Sequence, residues 1–152
     1  KLISNWNSVV SMEDEVYHLG DFTLHDLDHF DQVVEKLNFR KLHIINGGHD
    51  RRWLKNFKNK RKNDWGYRTN DGNRVKIVII EDPLMTLTLE KKVLVLCHYA
   101  MRVWDRSHYD SWHLYGHSHG KLEPFGNSMD VGVDTNNYFP YSWEQIKERL
   151  QK

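Results

Sequence analysis

Glu15-Val16-Tyr17-His18-Leu19 reads as a short strand that ends at Gly20-Asp21. Behind it, Leu24, Leu27, Phe30, Val33, Val34 and Leu37 recur at helical spacing, which predicts a helix over Leu24 to Leu37. Asp26 and Asp28 in its first turns suit the positive end of the helix dipole. Lys41-Leu42-His43-Ile44-Ile45 is a second strand, followed by Asn46-Gly47-Gly48-His49-Asp50. Residues 15–50 therefore read β-α-β, and this unit sets the fold class as α/β.

Outward from it, Leu2, Ile3, Trp6, Val9 and Val10 form a helical pattern with no N-cap before it. A helix without a visible start leads us to expect a further segment upstream, in a single domain spanning 1–152. No signal-peptide pattern opens the chain. Downstream, Arg52 to Lys62 is basic with Trp53, Leu54 and Phe57 at helical spacing, and Asn70-Asp71-Gly72-Asn73 is a turn. Strands are expected at Val75–Ile80, Leu84–Leu89, Val93–Cys97, Trp112–Tyr115 and Met129–Val133. Ser142-Trp143-Glu144-Gln145 is a capping box that opens a final helix to about Leu150. The expected architecture is two mixed sheets with helices outside.

Composition narrows the function classes. Lys and Arg number 22 against 21 Asp and Glu, a formal charge of +1, which gives no bulk attraction to nucleic acid or membrane. The apolar runs fall far short of the roughly 18–20 residues of a membrane helix. One cysteine, Cys97, excludes a disulfide framework and a thiolate-rich zinc knuckle, and fits a cytoplasmic protein. Ten histidines are many for 152 residues, so their positions carry the argument.

Asp or His follows four of the strands: Asp21 in Gly20-Asp21, His49 and Asp50 after Gly47-Gly48, His98 after Cys97, and His117 and His119 in Gly116-His117-Ser118-His119-Gly120. Ligands of open α/β sheets gather beyond the carboxyl ends of strands. Glycine lets the backbone turn sharply beside a bound ion. His117 and His119, two apart in an extended stretch, point the same way. A mixed Asp/His set suits Mn, Fe, Zn, Ni or Co better than Ca or Mg. The other histidines (His18, His25, His29, His43, His108 and His113) read as structural or surface residues.

This ordered set resembles the calcineurin-like metallophosphoesterase family, whose pattern runs Asp-x-His, Gly-Asp, Gly-Asn-His-Asp/Glu, His, Gly-His-x-His. The likeness covers nearly the whole chain and is closest to the small single-domain bacterial or phage type. It implies a four-layer sandwich of two packed sheets flanked by helices. It also implies hydrolysis of phosphate mono- or diesters by a metal-activated hydroxide at a pair of ions, with manganese the leading candidate. Two ions about 3.5–4 Å apart clamp the attacking and leaving oxygens of such a displacement. By the resemblance, Asp21 bridges the ions, His98 and His117 bind the second, and His119 binds the first. His49 protonates the leaving oxygen and is steadied by Asp50.

Arg51, Arg52 and Arg102 lie near these loops in sequence and are candidates to grip phosphate oxygens. The chain departs from the pattern twice. It contains no Asp-x-His triplet, and Gly48 stands where the family carries its ligand Asn. Two further readings therefore stand beside the phosphoesterase: a non-catalytic member that binds a ligand or partner through the old site, and a nucleic-acid-binding domain using Arg51 to Lys62. In the second, the basic residues interleave with Trp53 and Phe57, so nucleic acid or a nucleotide joins the phosphate ester as a candidate partner.

Overall fold

The computed structural model describes residues 1–60, 66–68 and 75–151. They divide into two compact units, 1–82 and 83–152, each built on its own four-stranded sheet. The expected turn at Asn70–Asn73 and the end of the basic stretch, Arg61-Lys62, lie outside the described residues.

In the first unit the elements run α1 (Leu2–Val9), β1 (Glu15–His18), α2 (Leu27–Lys36), β2 (Lys41–Ile45), α3 (Arg51–Lys60), β3 (Gly66–Arg68) and β4 (Val75–Glu81). The sheet order is β1-β2-β4-β3, with β1, β2 and β4 parallel and β3 antiparallel to β4. Register sets Val16, Leu42 and Val78 in one row, and His18, Ile44 and Ile80 in another. The apolar members of these rows pack against Trp6, Phe30, Val34, Trp53 and Phe57 from the three helices. Phe30 and Trp53 stack at 4.1 Å between ring centroids.

The predicted helix start at Leu24 shifts to Leu27. Asp26 acts as the N-cap and accepts the His29 N–H at 3.1 Å. At its other end, the Lys76 ammonium is buried and donates to the Glu35 and Leu37 carbonyls at 3.0 and 2.5 Å. This places a cation on the negative end of the helix dipole. On α3 the pattern holds, but Trp53 and Phe57 are wholly buried while Arg51, Arg52, Lys55 and Lys58 are exposed. The aromatic residues of the basic stretch therefore form core and are closed to stacking on bases.

The second unit contains β5 (Leu84–Leu89), β6 (Lys92–Cys97), β7 (Trp112–Tyr115), β8 (Ser128–Asp130) and α4 (Trp143–Leu150). Its sheet runs β5-β6-β7-β8, with β5 antiparallel and the other three mutually parallel. Glu90 and Lys91 both take left-handed conformations (φ 48° and 68°), which closes the β5–β6 hairpin in the sense that matches strand twist. Leu94, Val95, Leu96, Trp112 and Leu114 are buried. The capping box at Ser142 and Gln145 is present, and Trp143 brings α4 against Trp112 at 5.7 Å between rings.

The last strand is shorter than its pattern predicts. It stops at Asp130, whose own carboxylate accepts the Gly132 N–H at 2.8 Å and turns the chain into a 3₁₀ turn at Val133–Thr135. Sequence reading also missed β3, which is only three residues long. The mixed α/β class with two sheets and four helices stands as expected. No helix among the described residues is long and apolar enough to cross a membrane.

Candidate metal centre

In the first unit the predicted site residues sit beyond the carboxyl ends of β1 and β2. Gly20 (φ 95°) and Asp21 (φ 54°) are both left-handed, so the chain doubles back directly after β1. A positive φ at a non-glycine residue needs support from its surroundings. Asp50 provides it. Its fully buried carboxylate accepts the Asp21, Gly47 and Phe22 N–H groups at 2.7, 2.8 and 2.9 Å, and the Trp53 indole N–H at 2.8 Å. This corrects the expected role of Asp50. Its oxygens are taken by backbone and indole donors, so it shapes both loops instead of steadying the His49 ring.

The Asp21 carboxylate in turn accepts the His49 N–H at 2.9 Å. The His49 side chain is exposed and makes no hydrogen bond, ion pair or ring contact among the described residues. Gly48 is exposed and has no positive φ, so its backbone would accept an ordinary side chain. Arg51 and Arg52 open α3 and are exposed.

In the second unit His98 follows β6 and is 2% exposed. Its ring lies 5.0 Å from that of His117, and the Tyr99 ring touches both at 4.7 Å. The Gly116 N–H donates to the His98 carbonyl at 3.1 Å, tying the two histidine-bearing loops together. His117 (φ 62°), His119 (φ 52°) and Gly120 (φ 68°) are all left-handed. Asp130 braces this turn, accepting the Ser118 hydroxyl at 2.7 Å and the Gly120 N–H at 2.9 Å. His119 is largely exposed and its Nδ1 bonds to Asp134. Arg102 is exposed, with its guanidinium 5.4 Å from the Phe125 ring centre.

Asp21, His98 and His117 together offer one carboxylate and two imidazoles as candidate metal ligands. The group could hold a metal ion. His119 is outside this group.

The histidines read as structural behave so where their partners are visible. His43 lies between two carboxylates, 2.6 Å from Glu15 and 2.5 Å from Glu81, with Tyr17 stacked on it at 4.5 Å. His113 is buried, with Nδ1 2.9 Å from the Val95 carbonyl and Nε2 accepting the Met101 N–H at 3.1 Å. Since a carbonyl only accepts, Nδ1 carries the proton. Burial depresses the His113 pKa, against the pull of its backbone carbonyl partners. The residues that sequence reasoning missed are Asp130 and Asp134. Both act through contacts 10 or more positions away, for which local spacing gives no signal.

No protein-family model matches the chain. It is 28% identical over 160 aligned positions to the uncharacterized protein MJ1445 of Methanocaldococcus jannaschii, covering 99% of this chain and 74% of that one. In fold it resembles the crystal structure of AQ665, a protein of unknown function from Aquifex aeolicus. The TM-score is 0.65 with 21% identity, over 97% of this chain and 82% of the other.

Proposed function

We propose that the chain is a metal-dependent phosphoesterase acting on phosphate mono- or diesters, with the four-layer metallophosphoesterase sandwich as its architecture. The observation that carries this reading is the pairing of the His98 and His117 rings at 5.0 Å past two strand ends, with Asp21 as the third candidate ligand. Their order in the chain follows the family pattern, and each stands just past a strand. A divalent ion held there supplies Lewis-acid polarisation of a phosphoryl group.

The remaining steps belong to the protein's own residues. Asp50 fixes the backbone that presents Asp21 and His49. His49, whose exposed ring makes no contact among the described residues, donates a proton to the departing oxygen, as a general acid must. Arg51 and Arg52 begin α3, where the dipole adds to their attraction for an anionic ester. The loss of the motif Asn at Gly48 favours a second reading, a member of the fold that keeps metal or ligand binding without turnover. The test is hydrolysis of bis(p-nitrophenyl) phosphate with added Mn²⁺, alongside Mn²⁺ binding by calorimetry, for the unsubstituted chain, His98→Ala and His117→Ala. Binding and hydrolysis that both vanish in the variants support the phosphoesterase. Binding without hydrolysis selects the second reading, and no binding in the unsubstituted chain removes both.

A further inference from the structure

Stacking on a flat ligand while pairing with its charge needs an aromatic face and a cation that both reach solvent. On α3 the aromatic residues are closed inside the core. In the second unit the combination is open. A recess of about 340 Å³ lies between the segment that follows β6 and the one that follows β7, lined by Arg102, Trp104, Ser107, His108, Phe125 and Asn127, with Gly126 beside them. Its volume is at the lower end of the range for small-molecule sites, about 300–1,000 Å³.

The fold fixes the walls. Trp104 is 7% exposed, and its indole N–H donates to the Ser111 carbonyl at 3.3 Å. The Ser111 hydroxyl donates in turn to the Asp105 carbonyl at 2.6 Å. Arg106 (φ 57°) and Asp110 (φ 63°), which flank the 3₁₀ turn at Ser107–Tyr109, are both left-handed. Such a conformation persists at a non-glycine residue only when its surroundings impose it. The Asp110 carboxylate accepts the Asn127 amide at 2.8 Å and pairs with Lys92 at 2.5 Å. These contacts tie the two segments together and neutralise that carboxylate. Gly126 is left-handed (φ 55°), where a side chain would be strained, and a Cβ there would lie 3.4 Å from the Trp104 ring. None of the described residues lining the recess is acidic.

The chemistry of the lining selects the ligand. Phe125 is 47% exposed, and the Arg102 guanidinium lies 5.4 Å from its ring centre. The guanidinium covers a ring face that a flat ligand would take. Insertion of an aromatic ring exchanges one flat partner for another and frees the guanidinium to pair with an anion on that ring. Its fork of donors suits phosphate and carboxylate alike. One Asn127 amide proton goes to Asp110, which leaves its Oδ1 and second amide proton, with the Ser107 hydroxyl, to pair with ring heteroatoms.

We propose that this recess is a binding site for aromatic anions, flat heteroaromatic rings that carry a phosphate or a carboxylate. The ring stacks on Phe125 beside Trp104, Arg102 holds the anionic group, and Asn127 and Ser107 bind the polar edge of the ring. The site needs no metal ion and stands apart from the phosphoesterase reading.

Titrations followed by ¹H–¹⁵N spectra of the backbone amides and the Trp104 indole test the site, with EDTA present so that no divalent ion holds the anion. The probes are adenosine 5′-monophosphate and indole-3-carboxylate, their uncharged counterparts adenosine and indole, and inorganic phosphate. Saturable shifts at Trp104, Ser107 and Asn127 with at least one of the two aromatic anions, at millimolar concentration or below, are expected, and the anion that gives them tells a nucleotide from an aromatic acid. The uncharged counterpart and inorganic phosphate each carry half of the recognised chemistry and should bind at least about 10-fold more weakly. Phe125→Ala should weaken binding about 5–100-fold, the loss of one stacked ring. Arg102→Ala should bring the anion down to the affinity of its uncharged counterpart, and Arg102→Lys, which keeps the charge without the fork, should recover part of the difference. Both side chains are exposed, and thermal melts confirm that the variants are folded. The absence of saturable shifts with either anion overturns the proposal. So does equal affinity for an anion and its uncharged counterpart, binding that Phe125→Ala leaves unchanged, or shifts confined to other loops.

Discussion

Asp50 and Asp130 do the same work in the two units, to different degrees. Each follows or ends a strand, and each uses its carboxylate to bend a neighbouring loop that carries candidate ligands. Asp50 is wholly buried and accepts four hydrogen bonds, and the loop it shapes leaves the His49 ring exposed, without contacts among the described residues. Asp130 is half-buried and accepts three from donors in its neighbourhood. The histidines beside it are held: His98 and His117 against each other and Tyr99, His119 on Asp134. The contrast matches the chemistry assigned to each loop. A metal ligand gains from a fixed ring, whereas a proton donor must meet an atom that moves as the bond breaks.

The contrast is sharpest at His49, where the largest effect is expected. In protein that hydrolyses phosphodiesters, His49→Ala should leave Mn²⁺ content unchanged. It should slow an alkyl phosphodiester by about 10²–10⁴-fold, a barrier increase of about 3–5 kcal/mol. A p-nitrophenyl ester, whose leaving group needs no proton, should be slowed far less. The check is kcat/KM for both substrates with each protein. Equal slowing of the two would break the distinction between the exposed imidazole and the held ones, and loss of Mn²⁺ would place His49 among the ligands.

The two carboxylates themselves give the next effect. Asp50→Ala leaves four N–H groups without their acceptor, each costing about 1–3 kcal/mol where buried, so a loss of about 4 kcal/mol or more is expected for the four together. Asp130→Ala should cost about half as much, because its surroundings admit water to the freed donors. Urea unfolding of the two variants checks the order. Equal losses would mean that burial does not distinguish the two braces.

Much of this scheme was legible in the sequence. The β-α-β pattern of residues 15–50 emerges with its strands almost where alternation and apolar runs put them, because local burial decides them. That Asp21, His98 and His117 each follow a strand was readable because the apolar runs before them are local signals. Ends set by side chains were less readable. Asp26 as a cap moved the start of α2, and Asp130 cut β8 short by bonding two residues ahead. The resemblance assigned Asp50 to steadying His49, yet two of its four donors sit 28 and 29 positions away on backbone that only the fold brings near. Trp53 and Phe57 fitted both a core and a nucleic-acid face by spacing, and burial chose the core.

The smallest effect distinguishes the units by pH. His113 in the second unit is buried neutral and its pKa is depressed below 6.5, chiefly by burial. An unfolded chain therefore binds a proton there that the folded one resists. The stability this contributes is complete above about pH 6.5 and is lost as pH falls below that value towards the folded pKa. The groups around the ring (the Val95 carbonyl, the Met101 N–H, Trp104 and Tyr115) offer no carboxylate to offset the charge. In the first unit, burial works to raise the Glu15 carboxyl, but the hydrogen bond and charge of His43, with Lys41 and Tyr17, outweigh it and hold its pKa below 4.5. That contribution is complete above about pH 4.5 and is lost only as pH falls through the lower folded value. Between these limits acid should loosen the second unit while the first keeps its strength. Amide exchange measured at stepwise lower pH should show protection falling first in β7, and only below about pH 4.5 in β1. His113→Gln, which retains a polar group without a titrating proton, should abolish the early loss in β7. Simultaneous loss in both strands would mean that the two units unfold together, and that the buried imidazole sets no separate threshold.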